Sequence, residues 1–357
     1  MEEVQYWYLS DEERAVFDPA NAQRRQGAQR KCRLTAEDCQ RSALRDLELF
    51  SDATTSSGPF LKVIHTDCNL GLYGEGFRYV FSFDKGGPVS LVVVGKEQLY
   101  RAPRSTFWRA PAENDLGFNL PARSAVWMGA DRYNVATVRE VEKFGDGFTE
   151  TLVPLDFAQR RPAQEMEIRY TWPTATTPQA LVIVSYRVNA LGRTKVSLNY
   201  HGRKGLPELP AFGLELLTAQ QLDSYRWDGL SGETYPDRYK GAQFGSHEAA
   251  VSVTPYLIPQ ECGNHKDTYR LRAGELTFLC EERSFHCSAL PCTQHQLATA
   301  EPQEELPERS RTVIRILGAL RGVGGIDRWR SDVEEPYRVS GEEDMRFSFY
   351  IVPSCEV

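Results

Sequence analysis

The chain has 357 residues, which is too many for one small domain and suits one large β domain or two modest ones. Its composition, with 41% hydrophobic and 25% charged residues, is that of a globular protein and excludes wholesale disorder. The net charge of −7 argues against a nucleic-acid-binding protein, because such proteins usually carry a basic excess.

The first 58 residues predict a short helical extension. Two segments, beginning at Ser10 and Thr35, resemble helix starts, because a capping hydroxyl is followed three residues later by a carboxylate. Apolar residues after Thr35 keep helical spacing: Cys39, Ala43, Leu44, Leu47 and Phe50. The polar stretch 51–59 predicts a linker. We therefore expect a helical or partly disordered extension at 1–58, followed by one domain at 59–357.

From residue 60 onward the sequence predicts strands. Residues 77–83 carry an aromatic side chain at every second position, which is the period of a half-buried strand. Further strand-like segments are 89–94, 165–172, 180–189, 194–200, 276–281, 311–317 and 345–352. Many short strands with few helical patterns predict a mainly β fold, a large β-sandwich. No repeat of fixed period occurs, which argues against a propeller.

The sequence favours a cytoplasmic protein without a metal site of its own. It contains no run of about 18 apolar residues, and its start lacks the pattern of a secretory signal. Cys280, Cys287 and Cys292 lie close to His286 and His295, which raises a zinc site, but their spacing fits no standard motif. Free, buried thiols in a reduced cytosol are the favoured interpretation.

Four motifs are richer in glycine, proline, asparagine, tryptophan and acidic residues than plain strands or turns require. They are motif 1 (residues 106–117, TFWRAPAENDLG), motif 2 (229–238, GLSGETYPDR), motif 3 (255–264, PYLIPQECGN) and motif 4 (322–329, GVGGIDRW). In this order and spacing they closely resemble the C-terminal β-sandwich of family 2 β-galactosidases, over residues 60–353. Motifs 2 and 3 look most like the separate small subunit of heterodimeric β-galactosidases.

The resemblance implies a large β-sandwich of the galactose-mutarotase type (a supersandwich) and a retaining hydrolysis of terminal β-D-galactosides such as lactose. Retaining hydrolysis needs two carboxyl groups about 5–5.5 Å apart on a rigid scaffold, which in this family is a (β/α)8 barrel. The strand–helix alternation of such a barrel is absent from the sequence. We therefore expect no catalytic residue in this chain, an obligate large subunit, and Mg²⁺ and Na⁺ ligands mainly on that partner.

The resemblance also implies the residues that bind substrate. The tryptophan of motif 4, Trp329, matches a family residue that packs against the sugar, and an indole face offers a hexose apolar area. Asn114, Asp115 and Gly117 match the start of a mobile active-site loop that continues through residues 118–121. Gly117 is the predicted hinge, because glycine tolerates the backbone change that opening requires.

Two glutamates inside the motifs, Glu233 and Glu261, invite an interpretation as an acid/base pair. We expect them instead to be structural ion pairs or hydrogen-bond acceptors, and we expect residues 235–238 to be a scaffold. An alternative function is a free-standing sugar-binding or aldose 1-epimerase-like sandwich. Such an isomerase needs a histidine acid and a carboxylate base, for which His265 near Glu261 is the sequence-local candidate.

Overall fold

Strands make up most of the regular structure. The computed structural model describes residues 34–51, 60–132, 135–145, 148–152, 163–326 and 331–354. In these ranges the first ten strands are β1 (Lys62–His65), β2 (Asn69–Gly74), β3 (Phe77–Ser82), β4 (Gly87–Val93), β5 (Lys96–Glu97), β6 (Arg104–Thr106), β7 (Thr137–Gly145), β8 (Phe148–Leu152), β9 (Glu165–Pro173) and β10 (Leu181–Asn189). The next ten are β11 (Thr194–His201), β12 (Ala211–Leu217), β13 (Ser224–Leu230), β14 (Phe244–Ala250), β15 (His265–Thr268), β16 (Arg270–Ala273), β17 (Leu276–Cys280), β18 (Phe285–Leu290), β19 (Val313–Leu320) and β20 (Met345–Pro353). The α-helices are α1 (Ala36–Ser51), α2 (Glu113–Gly117), α3 (Leu120–Arg123) and α4 (Gln294–Thr299).

The strands form three sheets with antiparallel pairing. Sheet A has the order β1-β2-β3-β4-β5. Sheet B has ten strands in the order β14-β13-β16-β17-β20-β11-β10-β9-β7-β8. Sheet C has the order β15-β18-β19-β12-β6. The prediction of a mainly β fold is therefore confirmed.

Sheets A and C pack against the same face of sheet B. Strand β11 alternates strictly between more and less buried residues, as a strand with one face in the core must. Tyr200 of β11 lies 5.6 Å from Phe212 of sheet C, and Tyr186 of β10 lies 5.7 Å from Phe81 of sheet A (ring centroids). Tyr186 pairs with Val196, which shares its face of β11 with Tyr200, so both contacts are on one side of sheet B.

The opposite face of sheet B is polar. Here Arg187 pairs with Glu165, and Arg169 pairs with Glu142 at 3.1 Å. Lys195 on β11 pairs with Glu281, which follows β17. One apolar and one charged face make this the large sandwich that the strand pattern predicts.

Helix α1 packs on the end of sheet B. It begins with the predicted cap: the Thr35 hydroxyl accepts a hydrogen bond from the Asp38 N–H at 3.1 Å, and the Asp38 carboxylate accepts one from the Thr35 N–H at 3.0 Å. Ala43 is buried against the core, and Arg270 of β16 pairs with Asp46 at 2.8 Å. The helical part of the extension is confirmed and is docked on the sandwich.

Other predictions for the N-terminal region concern residues outside the described ranges. These are the helix start at Ser10 and the linker up to residue 59, so the domain boundary at 58/59 stays a prediction. Among the helices that the structure describes, none combines the length and apolar character needed to cross a bilayer.

The segment after Gly117, where the resemblance implies a mobile active-site loop, contains short helices. Helices α2 and α3 follow one another closely, and a 3-10 turn spans Ala125–Trp127. Trp127 is fully buried, stacks on Phe107 at 5.7 Å and donates its indole N–H to the Pro207 carbonyl. Burial of this large ring fixes the far end of the segment, and the mobility expected of residues 118–121 stays a prediction.

Candidate functional site

The four motifs come together in space, in a region that we call the motif cluster (residues 106–117, 229–238, 255–264 and 322–326). Arg109 of motif 1 donates to the Gly322 carbonyl of motif 4 at 2.7 Å. The Asn264 amide of motif 3 donates to the Thr234 carbonyl of motif 2 at 2.6 Å. The Glu113 N–H donates to Gln260 at 3.0 Å, which joins motifs 1 and 3. Segments that are distant in sequence thus form one site.

Motif 2 fixes the backbone of motif 4. The Asp237 carboxylate accepts hydrogen bonds from the backbone N–H groups of Val323 (3.0 Å) and Gly324 (2.7 Å). The Arg238 guanidinium donates twice to the Gly324 carbonyl, at 2.8 and 2.7 Å. Gly325 has a φ of +107°, and a Cβ there would lie 1.5 Å from the Arg238 side chain. The predicted scaffold role of residues 235–238 is confirmed, and glycine is required where the backbone meets it.

Asp115 of motif 1 has no exposed surface. Its carboxylate accepts hydrogen bonds from both terminal nitrogens of Arg109 and, at 2.7 Å, from the Ala112 N–H. Arg321, also buried, lies 3.7 Å away. Burial opposes the charge on Arg109, but the attraction and hydrogen bonding of Asp115 outweigh it and raise the pKa of Arg109. The carboxylate therefore lies between Arg109 and Arg321, the residue directly before motif 4, and does not face solvent.

The other predicted binding residues have different environments. Asn114 is half-buried and donates to the Val323 carbonyl at 3.3 Å, so it touches the base of motif 4. Gly117 is exposed at the end of α2. Trp329 lies outside the described residues. The structure thus brings Asn114 and Asp115 to motif 4, and substrate contact by Trp329, Asn114, Asp115 and Gly117 stays a prediction.

Glu233 serves as a hydrogen-bond acceptor between motifs 2 and 3. Its carboxylate accepts from the Tyr235 hydroxyl (3.0 Å), the Thr254 hydroxyl (2.9 Å) and the Tyr256 hydroxyl (3.3 Å). These bonds hold residues 254–256 against the start of motif 2. The expected structural role of Glu233 is confirmed.

Glu261 is buried beside Arg315, with 3.5 Å between the carboxylate and the guanidinium. Burial raises the pKa of Glu261, and the nearby Arg315 and Arg109 offset only part of that effect. The expected ion pair is confirmed.

An open cavity of about 730 Å³ lies between motifs 2 and 4. Its walls include charged and aromatic side chains: Glu233, Arg238, Tyr239, Lys240, Glu334 and Tyr337. Ile326, the last described residue before Trp329 in the chain, also lines it. The cavity is of a size that holds small ligands, and it adjoins the loop fixed by motif 2.

Asp332 is a feature of this region that sequence reasoning missed. It follows motif 4 and binds three arginines: Arg321, Arg123 at 3.2 Å and Arg338 at 3.5 Å. Burial works against its charge, but the hydrogen bond and attraction of Arg321 prevail, and the pKa of Asp332 is lowered. An arginine directly after the apolar strand β19 is the signal in the sequence that could have located this cluster.

The six cysteines in the described ranges are free. Cys280, Cys287 and Cys292 are buried thiols, and burial raises the pKa of each, to about 12, 12 and 11 respectively. The interpretation as free, buried thiols is confirmed. Across the described part of the chain, no three histidine, cysteine, aspartate or glutamate side chains are grouped so as to hold a metal ion.

His265, the candidate acid of the isomerase alternative, is bonded on both nitrogens within the protein. Nε2 lies 2.7 Å from the Tyr225 hydroxyl, and Nδ1 lies 2.7 Å from the Gly232 carbonyl. The ring stacks on Trp227 with 3.7 Å between centroids. Burial lowers the pKa of His265 to about 4. These contacts give His265 a structural role and do not support the isomerase.

Comparison with known proteins settles the family. Residues 73–351 match a family model described as the β-galactosidase small chain. Over 309 residues the chain is 42% identical to the β-galactosidase small subunit of Latilactobacillus sakei, covering 82% of this chain and 97% of that protein. The chain belongs to the β-galactosidase small-chain family. The resemblance carried by the four motifs is thereby confirmed, and family membership supports a role as a β-galactosidase subunit.

Longer relatives align with this family member over part of their length. The β-galactosidase of Streptococcus thermophilus is 31% identical over 316 residues, covering 86% of this chain and 29% of that protein. Among solved structures, a galactose mutarotase-like protein from Lactobacillus casei aligns with 82% of this chain and 99% of its own, at 10% identity and a TM-score of 0.39. The assignment of the sandwich class rests on the three sheets described above.

Proposed function

We propose that the chain is the small subunit of a two-chain β-galactosidase whose large subunit carries the catalytic glutamates. Together the two chains hydrolyse terminal β-D-galactosides, lactose among them, with retention, as in glycoside hydrolase family 2. One observation carries the proposal: the chain corresponds to 97% of a small subunit, but to 29% of a longer β-galactosidase. The remainder of the enzyme is then a second polypeptide.

The chemistry of the motif cluster supports this division of labour. Retaining hydrolysis needs a nucleophile and an acid/base about 5–5.5 Å apart and open to the sugar. Asp115 is enclosed by arginines, Glu233 is bonded to three hydroxyls, and Glu261 is buried beside Arg315. The carboxylates of these three acids form ion pairs and hydrogen bonds that stabilise the fold, so we expect the chain alone to be inactive.

The contribution of this subunit is one wall of the active site. In motif 4, Val323 and Gly324 are fixed by Asp237 and Arg238, and Asp332, which follows the motif, is bound by arginines. In the proposal the indole of Trp329 packs against the sugar. Asn114 contacts the same wall through the Val323 carbonyl, and Asp115 positions Arg109, which binds the Gly322 carbonyl. Gly117 allows α2 to adjust to substrate.

Metal ions and location complete the proposal. In the proposal, Mg²⁺ and Na⁺ of the assembled enzyme are bound mainly by the large subunit. A cytoplasmic location fits the free, buried thiols, because a reducing compartment keeps cysteines unpaired.

Co-expression with the large chain from the same source tests the proposal. Each chain alone and the pair are assayed with a nitrophenyl β-galactoside, and proton NMR follows the anomer released first. We expect activity only from the pair and β-galactose as the first product. Full activity of either chain alone, or an inactive pair, contradicts the proposal.

Replacing Trp329 by alanine in the assembled enzyme tests the wall itself. We expect a raised KM, because the bound sugar loses a packing surface, and a lowered kcat, because this loss is larger in the transition state than in the ground state. Replacing the buried Trp127 by phenylalanine is the control for general loss of structure. Wild-type kinetics after the Trp329→Ala change would refute the assigned role.

A further inference from the structure

Exposed apolar side chains concentrate on the motif cluster. Among the described residues, twelve large apolar side chains are exposed. Six of them lie in the motifs or directly next to them, and we call these six the apolar rim: Leu116, Tyr239, Tyr256, Leu257, Ile258 and Ile326. Single exposed apolar residues are ordinary, but a group of them in one region marks an interaction site.

Hydrogen bonds link the parts of the rim. The bond from Glu113 to Gln260 places Ile258 near α2, which carries Leu116. Motif 4, which ends in Ile326, is joined to α2 by the Asn114 amide. The rim therefore spans motifs 1, 3 and 4 as one surface.

The rim also borders the cavity between motifs 2 and 4. Tyr239 and Ile326 both line that cavity, and Tyr256 is bonded to Glu233, which lines it as well. A site wall that a second chain completes must be continuous with the interface to that chain. The rim occupies this position around the cavity.

Leu257 is the most exposed member of the rim, at 92%, yet its surroundings are fixed. The neighbouring Tyr256 donates its hydroxyl to Glu233, and its carbonyl accepts from the Gln303 amide at 2.6 Å. A large apolar side chain on a segment held in place loses little freedom on binding, which is a property of interface anchors.

We propose that the apolar rim is the docking surface for the large subunit, with Leu257 and Ile258 as its anchors. This inference rests on the proposed function. The occupant follows from the longer relatives, in which the part equivalent to this chain is continuous with the rest of one enzyme.

Binding of the purified large chain to Leu257→Glu tests the inference. The control is Val94→Glu, because Val94 is also exposed (62%) and lies in the β4–β5 turn. The dissociation constant is measured by titrating the large chain with each small chain and following galactosidase activity. We expect Leu257→Glu to weaken binding at least ~10-fold and Val94→Glu less than ~2-fold. At saturating small chain, kcat of both variants should equal that of the wild type.

The outcomes separate this inference from the proposed function. If the wild-type pair is active and Leu257→Glu binds the large chain as tightly as the wild type does, the proposed docking surface is wrong. The proposed function then still stands. Equal weakening by Val94→Glu also overturns it. If Leu257→Glu dissociates a dimer of this chain and leaves large-chain binding intact, the occupant is a second copy and the inference fails. Absence of any wild-type association refutes the proposed function and the inference together.

Discussion

Sheet B and the motif cluster are held together by opposite means. The inner face of sheet B buries apolar side chains, and its charges lie on the outer face. The motif cluster buries charge: Arg109 and Asp115 are enclosed, and Arg321 lies beside them. Buried ion pairs cost desolvation that apolar residues would not. Apolar burial in the sandwich therefore serves stability, whereas the buried charges of the cluster fix particular backbone positions.

Removing one buried charge should give the largest effect on stability. Asp115→Asn leaves Arg109 and Arg321 without their shared counter-charge, and breaking such a pair costs about 3–5 kcal/mol. The free energy of unfolding is measured in urea at pH 7. The exposed Asp84→Asn is the control and should change stability by less than ~0.5 kcal/mol. A small loss in Asp115→Asn would show that the cluster does not depend on charge.

A cavity in sheet B should cost slightly less. Leu198 of β11 is fully buried, and Leu198→Ala should lower the free energy of unfolding by about 3 kcal/mol through lost packing. Its neighbour Ser197 is less buried, so Ser197→Ala serves as the control. Urea titrations at pH 5.5 and pH 8 should give the same loss for Leu198→Ala. A loss that varies with pH would break the contrast between the two regions.

Two glycines with positive φ distinguish the cost of backbone strain from the cost of a steric clash. At Gly325 an added Cβ meets Arg238, whereas at Gly76 it meets nothing within 4 Å. Gly325→Ala should cost about 1–3 kcal/mol and lower the activity of the assembled enzyme, because motif 4 must move. Gly76→Ala should cost about 1 kcal/mol and leave activity unchanged. Equal activity of both variants would show that motif 4 tolerates displacement.

The smallest expected effect is an opposite pH dependence of two acids. The pKa of Glu261 is raised above its ordinary 4.5, so its stability contribution falls as pH rises from 4.5 through the folded-state pKa. The pKa of Asp332 is lowered from 3.8, so its contribution is present above pH 4 and is lost as pH falls through the folded-state value.

Unfolding curves between pH 3 and pH 7 check this contrast. Relative to the wild type, Glu261→Gln should become more stable as pH rises. Asp332→Asn should become less stable over the same change, because the arginines then lack a charged partner. Parallel curves for the two variants would contradict the assigned pKa directions.

The sequence predicts the two regions unequally well. Period-two alternation predicts strands such as β3 and β11, and Thr35 with Asp38 predicts the start of α1, because these signals are local. The burial of Arg321 has no local signal, since charged residues are enclosed only when distant segments supply partners.

The order of the segment after Gly117 depends on the same kind of distant contact. Trp127 stacks on Phe107 and reaches the Pro207 carbonyl, neither of which is adjacent in the chain. The local sequence therefore does not show the packing that accompanies the short helices α2 and α3.

The main hydrophobic core has a consequence for assembly. One continuous core joins sheets A, B and C, and residues of this chain form it. A polypeptide that encloses its own core can be separated from a longer enzyme by gene fission without exposing that core. We therefore expect the two subunits to fold independently and to associate as folded proteins. Recovery of activity after mixing should then follow second-order kinetics.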